Sequence, residues 1–207
     1  SEPPAIVFDG SMSMSTKALI WVDLQNDFLP GGALAVPEGD RVIAVANRVA
    51  RAFSRVVATQ DWHPADHGSF AVHHPGHTPG QVIELHGLPQ VLWPMHCVQN
   101  TGGAAFAPGL ETARIERVFP KGTDRTVDSY SGFFDNGRRV ATGLGEYLRS
   151  SGVEEVTVLG LATDYCVRFT ALDAVSLGLR TRLVVEGCRG VDLAPGDCAR
   201  ALEAMAA

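Results

Sequence analysis

Residues 156–178, VTVLGLATDYCVRFTALDAVSLG, decide the fold. The run 156–161 is apolar, partly β-branched and short, which is the character of a strand buried on both faces. Val167, Ala171, Ala174 and Val175 then recur at spacings of three and four, the period of a helix with one apolar side, and Gly178 marks its stop. A strand that feeds a helix through a few residues, with Cys166 at the junction, is the repeating unit of a parallel sheet.

The same alternation extends in both directions. Short apolar runs at 18–22, 56–59, 117–119 and 181–185 read as further strands. Val42, Val45, Val49 and Phe53 repeat with a helical period, as do Val140, Leu144 and Leu148. The pattern predicts an α/β domain: a doubly wound parallel sheet of five or six strands with helices on both faces. Residues 61–91 break the rhythm with prolines, glycines and six of the seven histidines, and a loop of that length in a compact domain is usually functional or disordered. Residues 1–16 show no period and contain a Gly-Ser-Met junction, so they read as an extension or tag-like arm ahead of a single domain, 17–207.

With 207 residues, 45% of them hydrophobic, the chain can build a sizeable core. Its formal net charge of −6 and its lack of Lys/Arg runs argue against a nucleic-acid surface. No apolar stretch approaches the roughly 18 to 20 residues that a membrane span needs, and no charged-then-apolar leader opens the chain. The expectation is a cytoplasmic protein with no membrane or nucleic-acid partner. Cys97, Cys166, Cys188 and Cys198 are then expected as reduced thiols.

In open α/β sheets the carboxyl ends of the strands line a crevice, so polar residues just after apolar runs are the first suspects. Here these are Asp23, then Asp61 and His63, then Lys121, then Thr163, Asp164 and Cys166. A thiol at a helix start has its pKa lowered by the helix dipole, and a nucleophilic thiol needs a base and often a neighbouring cation. Asp23 and Lys121 are the residue types that supply them. Each also has an ordinary reading: a packed cysteine, a loop carboxylate, a turn lysine. Asp61 and His63 stand two apart in an extended stretch and share a face, so both can grip one ion. His96 is a candidate third ligand and His67 a further donor; otherwise His63 caps a turn and His96 packs on Trp93. Imidazole and carboxylate donors suit zinc, manganese or iron. His73, His74, His77 and His86 read as solvated, and Cys97 as pointing away from its neighbour His96. Phe28, Trp62, Trp93 and Tyr130 surround these groups in sequence and suit a flat heteroaromatic ligand.

Five blocks, ALIWVDLQNDFLPGGALAV, TQDWHPADHGSFA, LWPMHCVQNTGGAAF, KGTDRTVDSYSGFFDNG and GLATDYCVRFTALDA, together resemble the nicotinamidase (pyrazinamidase) branch of the isochorismatase-like hydrolases, from about residue 18 to about 192. The resemblance implies a catalytic set of Asp23, Lys121 and Cys166 and one divalent metal ion, with zinc first and manganese or iron as alternatives. It places that ion on Asp61, His63 and His96, with His67 in a position that some members use as a ligand. It also implies a cis peptide before Ala162 that turns the N–H groups of Ala162 and Cys166 into an oxyanion hole. On this reading Phe28, Trp93 and Tyr130 hold nicotinamide, which is hydrolysed to nicotinic acid and ammonia through a Cys166 thioester in NAD salvage, with pyrazinamide as a second substrate. A monomer or small homo-oligomer is expected. The ending ALEAMAA leaves the sixth strand in question. The competing readings are another amidohydrolase of the superfamily acting on carbamoyl or ureido substrates, and a non-catalytic metal-binding module.

Overall fold

In the computed structural model, which describes residues 16–207, seven strands and four α-helices follow one another along the chain. They are β1 (Lys17–Val22), α1 (Arg41–Ala50), β2 (Val56–Asp61), β3 (Val82–Leu85), β4 (Leu88–Val91), β5 (Ile115–Lys121), α2 (Leu144–Ser150), β6 (Glu155–Leu161), α3 (Arg168–Ser176), β7 (Arg180–Arg189) and α4 (Asp197–Ala206). The expected arm lies outside the described residues except for Thr16, whose carbonyl accepts the N–H groups of Glu154 and Glu155.

Five strands form one sheet in the order β5-β2-β1-β6-β7, every pair parallel. All seven residues of β6 and all but the first of β1 are buried, so both faces of the sheet centre are covered. The described residues hold five strands in this sheet, which resolves the expected five or six to five. The chain steps outward from β1 to β2 to β5, then returns to the other side of β1 to place β6. That reversal puts the crevice between the carboxyl ends of β1 and β6. The two strands approach closely there: a Cβ on Gly160 (φ +140°) would lie 2.1 Å from the Val22 carbonyl oxygen, so only glycine fits.

Three local expectations are corrected. Phe53 falls after α1, which ends at Ala50. Val140 lies outside α2 and is exposed, because the Asp135 carboxylate captures the N–H groups of Gly137, Arg139 and Val140 and bends the chain before the helix can begin. The long loop contains the antiparallel hairpin β3-β4, closed by His86 and Gly87, both with positive φ as a two-residue hairpin turn requires.

Candidate active site

Each polar group singled out after a strand lies at the same edge of the sheet. Asp23 follows β1, Asp61 closes β2, Lys121 closes β5, and Cys166 sits in a π-helical turn, Thr163–Val167, between β6 and α3. Lys121 is their centre. Its Nζ lies 2.8 Å from Asp23 Oδ2, 2.5 Å from Asp61 Oδ1, 2.9 Å from the Ser129 carbonyl oxygen and 3.3 Å from Cys166 Sγ. Carboxylate oxygens of Asp23 and Asp61 and the sulfur of Cys166 all fall within 4.8 Å of one another. The side chains of Asp23 and Lys121 are completely enclosed.

Second contacts hold these groups in place. Thr59, on β2, donates its hydroxyl to Asp23 Oδ1 at 2.7 Å and accepts the Asp23 N–H at 3.3 Å. Gln25 clamps the Asp61 backbone, donating to its carbonyl and accepting from its N–H, both at 2.8 Å.

The charges compete for one ammonium. Burial disfavours the charged form of Lys121, but the carboxylates of Asp23 and Asp61 outweigh it and hold the amine well above its ordinary pKa. Burial works against ionisation at Asp61 too, yet Lys121 and the adjacent His63 keep that carboxyl well below its usual range. Asp23 receives the smaller share: burial raises its pKa, Lys121 only partly opposing and Asp61 adding to the rise. A carboxylate with a raised pKa is suited to taking a proton and returning it. The Cys166 thiol departs from the expectation of an acidified helix-start cysteine. Burial pushes its pKa well above the ordinary value, and of its charged neighbours only Lys121 pulls it down. The unpaired sulfur is thus a thiol until a base takes its proton.

Beside this group stands a second one. Donor atoms of Asp61, His63 and His96 lie within 4.8 Å of one another, all three residues buried. His63 Nε2 is 3.3 Å and His96 Nε2 3.6 Å from Asp61 Oδ2. The Nδ1–H of His63 donates to the Gly122 carbonyl at 2.8 Å and that of His96 to the Pro94 carbonyl at 2.7 Å, so each ring aims the lone pair of its Nε2 at the same place. His63 Nε2 is buried and has no hydrogen-bond partner among the described residues. Burial alone would lower the His63 pKa, but Asp61 overrides it and lifts it to about 9, so a proton is drawn to where a cation would sit. Gly122 (φ +64°) makes this possible: a Cβ there would come within 2.4 Å of His63 Cε1. These are the features of a divalent-cation site, and the residues fit one. His67 is turned differently. It packs against His63, ring centroids 4.4 Å apart; its Nδ1 lies 3.2 Å from the Ser69 N and 2.8 Å from the Ser69 Oγ, and its Nε2 is buried with no hydrogen-bond partner among the described residues.

A narrow pocket opens onto both groups. Phe28, Trp93 and Tyr130 line it with Cys166, Asp61, His96 and Ala162. The peptide between Leu161 and Ala162 is cis. Trp62 is half-buried and is not among the lining residues, and His73, His77 and His86 are exposed. Cys97 is buried, held through its N–H by Asp27 Oδ2 at 2.7 Å. Asp164 faces away from the thiol and accepts the N–H groups of Val191 and Asp192 at 2.9 and 2.7 Å. Sequence reasoning missed four pocket residues, Leu34, Asp128, Tyr165 and Val191. Leu34, Asp128 and Tyr165 stand inside the motif blocks, but nothing in their spacing marks them as facing the pocket.

The Isochorismatase domain model matches residues 17–207. The chain belongs to the isochorismatase family. Within it, a nicotinamidase of Escherichia coli (strain K12) is 54% identical over 94% of this chain and 92% of its own length. A solved structure of an Acinetobacter baumanii nicotinamidase/pyrazinamidase has a TM-score of 0.89 and 44% identity, covering 92% of each chain. A pyrazinamidase of Pyrococcus horikoshii in complex with zinc has a TM-score of 0.75 and 40% identity, covering 93% of this chain and 95% of its own. The family membership accounts for the parallel sheet and its crevice.

Proposed function

We propose that the protein is an amidase that hydrolyses nicotinamide to nicotinic acid and ammonia through a Cys166 thioester, accepts pyrazinamide, and serves NAD salvage. The observation that carries this reading is the contact of one buried ammonium, Lys121, with Asp23, Asp61 and Cys166 beside an aromatic-walled pocket. The 54% identity to the Escherichia coli nicotinamidase supports the substrate. The flat walls of Phe28, Trp93 and Tyr130 favour a heteroaromatic amide over the carbamoyl or ureido substrates of other amidohydrolases.

The ring lies between Phe28, Trp93 and Tyr130 with its carboxamide toward Cys166. Asp23 takes the thiol proton, and Lys121 stabilises the thiolate across 3.3 Å. The sulfur attacks the amide carbon, and the N–H groups of Ala162 and Cys166 receive the developing oxyanion. Asp23 returns its proton to the amide nitrogen, the C–N bond breaks, and ammonia leaves a thioester. Asp23 then accepts a proton from water as the water oxygen attacks the thioester carbon; the C–S bond breaks, Asp23 returns that proton to the Cys166 sulfur, and nicotinic acid departs. A divalent cation on Asp61, His63 and His96, read as zinc, would supply a coordination point that orients the ring. Its donor set of two imidazoles and a carboxylate and the zinc complex of the Pyrococcus horikoshii pyrazinamidase support that choice.

All four cysteines are unpaired, which suits the reducing cytoplasm in which we place the protein, as a monomer or small homo-oligomer. The test is ammonia release from nicotinamide by metal-assayed protein, before and after chelation. Wild type should release ammonia, and Cys166→Ala should release none while still binding nicotinamide and metal. Absence of turnover by the metal-loaded wild type overturns the substrate; turnover by the variant overturns the nucleophile.

A further inference from the structure

Asp128 is a buried carboxylate, 3% exposed, with too few partners for its charge. Its Oδ1 accepts the N–H of the adjacent Ser129 at 2.7 Å, and its Oδ2 accepts only a long bond from Gln90 Nε2 at 3.4 Å. No lysine or arginine pairs with it among the described residues. An ionised carboxylate removed from water is costly unless a cation or several strong donors compensate it. The adjoining groups are imidazoles: a carboxylate oxygen of Asp128 and ring nitrogens of His63 and His67 lie within 4.8 Å of one another. Asp128 also lines the pocket onto which Asp61 and His96 face.

The cation site has the complementary deficit. Asp61 is its only carboxylate among the three expected ligands, and the Lys121 ammonium already claims one of its oxygens at 2.5 Å. With Asp23 and Asp61 ionised and Lys121 charged, a divalent ion would leave this buried cluster with one net positive charge. One further carboxylate neutralises it, and Asp128 is the uncommitted one within reach of His63.

We propose that Asp128 is a second carboxylate of the cation site, compensating the ion's charge and setting how tightly it is held. The inference rests on the reading of Asp61, His63 and His96 as a cation site and extends it to a residue outside that set.

The experiment is a zinc titration of chelator-stripped protein against a competing metal dye, on wild type, Asp128→Asn and, as a surface control, His73→Ala. Wild type and the control should bind one ion with equal affinity. Asp128→Asn should bind one ion about 10- to 100-fold more weakly, the range typical of groups that support metal ligands. The absorption spectrum of the cobalt-loaded variant should also differ from that of wild type. An unchanged affinity in Asp128→Asn overturns the role of Asp128 and leaves the cation site standing; no ion bound by wild type overturns the site and this inference with it. If Asp128→Asn does not fold, a structure of zinc-loaded wild type decides. A carboxylate oxygen of Asp128 within about 5 Å of the ion, ligation or one intervening water, supports the inference, and a greater distance overturns it.

Discussion

Lys121 Nζ stands 3.3 Å from Cys166 Sγ while bonded to the carboxylates of both Asp23 and Asp61, so a single ammonium joins the acid, the thiol and the cation site. In the metal-free protein, removing it leaves two buried carboxylates facing each other without compensation. Lys121→Met should therefore lose both rate and stability: kcat down at least about 100-fold, and unfolding easier by about 3–5 kcal/mol, the usual result of breaking a buried pair from one side. Steady-state kinetics with thermal melts checks this, and a stable, active Lys121→Met would refute the proposed role.

Thr59 is expected to act through Asp23. Its hydroxyl donates 2.7 Å to Asp23 Oδ1 and leaves the other oxygen to Lys121. Thr59→Val keeps the shape and deletes the donor, and a hydrogen bond to a charged group contributes about 1.5–3 kcal/mol. We expect kcat to drop by about tenfold or more with KM little changed, and Thr59→Ser to restore it. Equal kinetics for the valine and serine variants would remove Thr59 from the machinery.

Val191 should set the size of the accepted ring. It lines the pocket, and its N–H is fixed by Asp164, two residues from Cys166. Val191→Ala should lower KM for ring-substituted nicotinamides relative to nicotinamide, whereas Asp164→Asn should weaken binding of both by loosening the loop. An unchanged ratio of kcat/KM values in Val191→Ala would show that the limit lies elsewhere.

Stability should decline in alkali. Burial lifts the Cys188 thiol from 9.0 to about 11. The folded chain therefore holds a proton that the unfolded chain releases. The associated stability is complete below pH 9 and is lost as pH rises from 9 through 11, amounting to roughly 2–3 kcal/mol. Cys188→Ala should show a shallower fall in denaturation midpoint between pH 9 and 11. Parallel curves for the two proteins would contradict the buried-thiol account.

Strands and helices were readable because their signals are local. The apolar runs of β1, β2, β5, β6 and β7 and the helical spacing in α1 are properties of neighbouring residues, and the motif blocks carry the polar residues that end those strands. In α3 only Ala171 and Ala174 of the expected apolar side are buried, Val167 preceding the helix and Val175 being exposed. Where a side chain captures the backbone, as Asp135 does before α2, periodicity alone misleads. The relationships that make the site came only with the tertiary structure. Sheet order places Thr59 of β2 beside Asp23 at the end of β1, and folding seats Asp128 against His63 and brings Val191 to the pocket that Cys166 lines. The state of the thiol also belongs to that level: a helix start acidifies a cysteine in water's reach, but burial beside carboxylates reverses the sign. Burial and charge balance are sums over groups distant in the chain, so they exist only once the sheet has brought those groups together.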